Sequence, residues 1–99
     1  MLLMKYVLVS AYDALLERSM PLQCIQPMED EDIVESHRRA VLTKQIPVDK
    51  AENLVIFKYG TFNDATGEVE LLPKPVKLCA LSQFLPRKVD VSAEDPVNV

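Results

Sequence analysis

Residues 5–12 read KYVLVSAY, a run rich in β-branched and aromatic side chains. On a strand, Tyr6, Leu8, Ser10 and Tyr12 share one side, and Val7, Val9 and Ala11 share the other. Both sides are largely apolar, which predicts a central strand. Residues 13–20 are mixed and read as a loop. Residues 22–28 predict a short second strand, opened by Pro21 and closed by Pro27, which suits a sheet edge. From residue 29 to 44 the period changes. Ile33, Val34, His37, Ala40 and Val41 recur at helical spacing, so one helix is expected there. Glu29-Asp30-Glu31-Asp32 stand at its positive dipole end, with Arg38, Arg39 and Lys44 toward the negative end. Glu35 and Arg39 form an i,i+4 pair on the outer face, and Pro47 keeps the helix from running on.

The strongest local signal lies in residues 53–72. Leu54-Val55-Ile56-Phe57 is apolar on both faces and predicts a second central strand. Gly60 interrupts it, as a bulge or a close backbone approach would require. Asn63-Asp64-Ala65-Thr66-Gly67 then supplies turn formers, with Gly where a positive φ is cheapest. The chain returns through Glu68-Val69-Glu70-Leu71-Leu72 as a strand with Val69 and Leu71 inward, closing a hairpin with a four- or five-residue loop. Pro73-Lys74-Pro75 ends the hairpin, and residues 76–85 dock as a final strand or short helix. Residues 86–99 are charged and punctuated by proline, and read as a flexible tail after a single globular domain over residues 1–85. The expected fold is α+β: a small, mainly antiparallel sheet with one helix packed on it, in the order β-β-α-β-β plus a short C-terminal element.

Composition bounds the chemistry. The chain has 99 residues, 11 basic and 15 acidic, with a net charge of −4. That balance opposes broad phosphate binding, which needs clustered cations. It suits solubility or a basic partner. Cys24 and Cys79 are far apart, and the short apolar start Met1-Leu2-Leu3-Met4-Lys5 is neither signal nor anchor, so both thiols read as reduced and cytoplasmic. No apolar run is long enough to cross a bilayer. There is one histidine and no Cys-x-x-Cys or paired-His spacing, so no metal or cofactor is expected. No nucleophile motif surrounds either cysteine or any serine, and no catalytic residue is assigned.

Three surfaces invite a partner. Tyr12, Tyr59 and Phe62, with Tyr6 and Phe57, are strand aromatics on which bases can stack, and Lys5 and Lys58 would meet phosphates beside them. Core filling is the simpler expectation for these rings. His37 lies mid-face on the helix, where a buried or interface role is expected; at an interface it would make assembly pH-sensitive. Leu42 falls on the charged helix face. One helix covers only one face of a small sheet, so the second face needs the C-terminal segment or another subunit. Self-association, as a dimer or higher, is therefore expected.

The run from Leu54 to Val69, with its strand, glycine, aromatic and Asn-Asp-Ala-Thr-Gly-Glu turn, resembles the nonstructural protein family of gokushovirus-type microviruses, which are small single-stranded DNA phages. The Tyr12-Asp13 pair at the end of the first strand, an arginine in the central helix (Arg38 or Arg39) and the Pro47-Val48-Asp49 step also match. The resemblance spans residues 5–85. It departs at residues 21–27, where an aromatic-rich second strand is expected and no aromatic occurs. It implies a non-enzymatic accessory protein of the host bacterial cytoplasm that assists phage genome replication or single-strand synthesis and packaging. Its partners would be single-stranded DNA, or a phage replication or packaging protein or a host protein. The alternative is an acidic adaptor or inhibitor that occupies a basic site on a host protein.

Overall fold

The computed structural model describes residues 4–86; the expected tail lies almost wholly outside the described residues. Strand β1 is Lys5–Asp13, β2 is Arg18–Ser19 and β3 is Gln23–Ile25. Helix α1 is Asp30–Leu42 and the single-turn helix α2 is Val48–Ala51. Strands β4, Leu54–Asn63, and β5, Val69–Ala80, follow, and a 3₁₀ turn closes the chain at Leu81–Phe84. The sheet is antiparallel in the order β2-β1-β4-β5, with β3 also pairing β1. The expected α+β architecture holds. The two runs expected to be central, β1 and β4, are central, and the proline-bounded segment is an edge strand. Within the expected loop at 13–20, β2 pairs Ser19 with Tyr12 and Arg18 with Asp13.

The two core clusters lie on one face of the sheet and are aliphatic apart from Cys79. Val7 and Val9 of β1 pack against Ile33 of α1. Val41, Ala51, Ile56, Cys79 and Leu81 form the second cluster, with Ile46 and Phe84 at its margin. Fully burying a Val, Ile or Leu side chain contributes about 1.5–3 kcal/mol. Both helices and the 3₁₀ turn are spent on this one face.

Helix α1 starts where the acidic run follows extended Glu29, whose carbonyl accepts from the amides of Asp32 and Ile33 at 3.0 and 3.1 Å. It stops at Leu42, two residues short of Lys44. Lys44 adopts a left-handed φ of 64°, and the Ile46 amide turns back to the Ala40 carbonyl at 3.1 Å. That reversal delivers Ile46 to the core, and Pro47 then opens α2 instead of ending α1. On the outer face Glu35 takes Arg38 as its main partner, through two 2.9 Å hydrogen bonds, with Arg39 at 3.5 Å. The Arg38 hydrogen bond holds the Glu35 carboxyl below its ordinary titration range. The pair's small stabilisation is present above the ordinary glutamate range and is lost as pH falls through the lowered value.

Two expectations about the hairpin change. The loop is four residues, Asp64 to Gly67, closed by Asn63 accepting from Gly67 at 2.7 Å and donating to Glu68 at 2.9 Å. Gly67 has φ 78°, the conformation anticipated for it. The returning strand, however, does not stop at Pro73-Lys74-Pro75. It runs through both prolines to Ala80, because β5 is an edge strand and residues 72–75, which hold both prolines, lie outside its ladder with β4, so neither missing N–H costs a ladder hydrogen bond. Val69 and Leu71 are not inward either: they are 54% and 66% exposed. They pair with Phe62 and Gly60, which puts them on the face the helices leave uncovered.

Lys58 of β4 reaches across the covered face to Asp30 at the start of α1, 3.0 Å away, with its side chain 24% exposed. Lys58→Met is expected to lower stability by about 0.5–1 kcal/mol. The difference should shrink as salt rises, read by urea titration at low and high ionic strength.

Candidate nucleic-acid interface

The sheet face away from α1 can be assigned position by position from register. Val7 and Val9 pack on Ile33, so Tyr6, Leu8, Ser10 and Tyr12 of β1 point the other way. Their β4 partners are Phe62, Gly60, Phe57 and Val55. In turn, β5 places Val69 beside Phe62, Leu71 beside Gly60, Lys77 beside Phe57 and Ala80 beside Val55. Register therefore puts no carboxylate on this face, in a chain with 15 acidic residues. Its one charge is Lys77.

This face carries all three tyrosines and two of the three phenylalanines. All five rings are half-buried, and none belongs to the buried core. Core filling, expected for these aromatics, is thus overturned: aliphatic side chains fill the space under the helices. The rings fall into two groups. Tyr6 and Phe62 are cross-strand partners with centroids 6.4 Å apart and planes at 43°. Tyr12, Phe57 and Tyr59 gather at the other end and, with Ser19 and Pro75, line a cavity of about 280 Å³. Tyr6 and Tyr12 are six residue steps apart on β1, about 20 Å at strand rise. Leu8, only 7% exposed, sits between the groups.

Tyr59 is placed by an irregularity. In the β1–β4 ladder Val9 pairs Lys58 and Leu8 pairs Gly60, so Tyr59 has no partner. In the β4–β5 ladder Val76 pairs Lys58 and Leu71 pairs Gly60, so Tyr59 again has none. Opposite it, Leu72-Pro73-Lys74-Pro75 leaves the β5 ladder as an excursion. Gly60 makes this possible: a Cβ there would land on the Glu70 carbonyl oxygen and stand 2.9 Å from Leu71 Cα. The bulge or close approach expected at Gly60 is both.

The structure divides the residues singled out from sequence. Tyr12, Tyr59 and Phe62 lie together on the open face. Lys5 and Lys58 do not join them. They lie on the helix side, lining a cavity of about 470 Å³ with Val7, Asp30 and Asp32. There Lys58 is held by Asp30, and Lys5 is 3.9 Å from Glu70. His37 is half-buried, its Nδ1 2.8 Å from the Ile33 carbonyl, beside a cavity of about 160 Å³ with Ser10, Met20 and Gln23. Leu42 is 52% exposed on the helix's outer side and does not converge with His37. Asp13, partner of Tyr12 in the resemblance, is buried and accepts from the Leu15 and Leu16 amides at 2.9 and 3.1 Å, which makes it a turn cap. Lys77, Pro75 and Ser19 were not singled out. Pro75 and Lys77 keep the alternation of Val69 and Leu71, but that strand was expected to end at residues 73–75 with Val69 and Leu71 inward, and Ser19 fell within an expected loop.

Among the described residues no three acidic, His or Cys side chains group to hold a metal, and no helix is long and apolar enough to cross a membrane. Both cysteines are free; Cys24 is exposed, and burial pushes the Cys79 thiol up in pKa. Compared with known proteins, the chain matches no family model, no curated protein and no solved structure.

Proposed function

We propose that the chain is a non-catalytic accessory protein of a small single-stranded DNA phage, acting in genome replication or in single-strand synthesis and packaging. In this role it holds single-stranded DNA on its helix-free sheet face. One observation carries the binding mode: five aromatic rings lie half-buried on a face whose paired strand positions hold no carboxylate. Every base has a π-face, so such a surface binds a strand by stacking with little regard to sequence. The phage setting comes from the resemblance of the hairpin.

The electrostatics make a specific demand. With Lys77, and Lys74 in the adjacent excursion, only one or two phosphates are neutralised. The slope of log K against log salt is then expected at about −0.7 to −1.4, shallow for a nucleic-acid binder. Titrating labelled oligothymidylate at low and near-physiological salt measures it. Lys58→Ala is the control and should leave affinity unchanged, since Lys58 faces Asp30 on the other side. An absence of binding at low salt would sink the proposal.

A second reading rests on the other end of the molecule. Glu29, Glu31 and Asp32 are exposed around the start of α1, an acidic edge suited to a basic site on a host protein. It predicts capture of a basic protein from host lysate, lost in Glu31→Lys and Asp32→Lys.

A further inference from the structure

The geometry points to the cavity at Tyr59 as a pocket for one unstacked nucleobase, with Lys77 meeting the adjoining phosphate. This rests on the nucleic-acid reading above and gives it a single anchoring position.

Three features build the pocket independently of the general character of the face. First, Tyr59 is the residue skipped by both of its neighbouring strands. A side chain unpaired on both sides has no cross-strand neighbour to stack on. Bulges re-aim side chains next to sites of function. Second, the β5 excursion opposite Tyr59 supplies a rigid wall. Pro75 lines the cavity with Tyr12, Phe57 and Tyr59, and its ring has little conformational freedom to lose on binding. Third, the polar groups suit a base better than an aliphatic chain. Tyr12, Tyr59 and Ser19, which line the cavity, each carry a hydroxyl able to bond the edge of a flat ring. Lys77 stands beside Phe57 in register, and no paired strand position puts a carboxylate on this face to repel a phosphate. The Tyr6–Phe62 pair, by contrast, has ordinary cross-strand partners and lines none of the three cavities described above. It serves as a secondary stacking step.

The test uses the whole chain with oligothymidylate, an abasic strand of the same length, and thymidine monophosphate. Tyr59→Ala should weaken oligothymidylate binding roughly 5- to 150-fold, the loss of one stacked base. Tyr59→Phe should keep most of the affinity. Thymidine monophosphate should shift the amide resonances of Tyr12, Phe57, Tyr59 and Lys77 ahead of those of Tyr6 and Phe62, and the abasic strand should bind more weakly. Should Tyr59→Ala fail to fold, exposed Lys77→Gln takes its place, with a two- to three-fold loss and a shallower salt slope expected.

Oligothymidylate that binds equally well to wild type and Tyr59→Ala, or no better than the abasic strand, would overturn the pocket while leaving the face as a binding surface. A strand that does not bind wild type at all removes the nucleic-acid reading and the pocket with it. Concentration-dependent dimerisation by light scattering, with Tyr59 shielded in the free protein, assigns the cavity to a second copy and also overturns the pocket.

Discussion

Gly60→Ala is expected to lower stability by about 3 kcal/mol, at the upper end of overpacking effects. For a domain near 100 residues that is a fall in melting temperature of roughly 12–24 °C. The reason is local and rigid. The added carbon would strike the Glu70 carbonyl oxygen and crowd Leu71 Cα at 2.9 Å. Both are backbone atoms of β5, so no rotamer change relieves the clash, and relief requires opening the β4–β5 ladder beside the Tyr59 bulge. Gly67→Ala is the informative contrast. Nothing lies within 4 Å of a Cβ there, but its φ of 78° strains any L-residue. About 1–2 kcal/mol is expected. Thermal melts followed by circular dichroism would rank the two. A Gly60→Ala protein melting within a few degrees of wild type would show that β5 can yield at this point.

Ile33→Ala should cost about 3 kcal/mol, within the range for buried aliphatic truncation. Ile33 is 0% exposed and is the helix residue that seals Val7 and Val9 of β1. Its removal leaves a hole between α1 and the sheet that neither Ile25 nor Leu78, at the margin of the same cluster, is placed to fill completely. Leu42→Ala, at a site 52% exposed on the same helix, should change stability by no more than about 0.5 kcal/mol. Urea unfolding of both variants separates the faces of α1. Comparable losses would mean that α1 is anchored through its outer side, contrary to the packing described.

Much of this molecule was legible in the one-dimensional pattern. Helical spacing picked Ile33 and Val41, the two buried residues of α1. The apolar runs at 5–12 and 54–57 were rightly read as central strands, and Asn63 with Gly67 marked the turn. Gly60 stood out as an interruption that only a bulge or a close approach explains. Other expectations failed for identifiable reasons. The prolines at 73 and 75 looked like a strand end, since whether a strand is an edge is not written in its own residues. Val69 and Leu71 looked inward, since which face is inward depends on where the helices and the 3₁₀ turn settle. Lys58 looked like a phosphate ligand until Asp30, 28 residues away in sequence, was found beside it.

The candidate site shows the same division. Its aromatic side chains were visible as residues, and their strand parity put Tyr6 and Tyr12 on one face. Tyr12, Phe57, Tyr59, Pro75 and Lys77 came together only through the β1–β4 and β4–β5 ladders and the shift at Tyr59, which no single segment reveals. Period, turn chemistry and charge at helix ends are short-range properties, carried by neighbouring residues, and the sequence alone determined them. Register, bulges and the choice of covered face follow from packing between remote segments. The tertiary structure alone decided that the helices pack on an aliphatic face of the sheet and that five aromatic rings lie half-buried on the other.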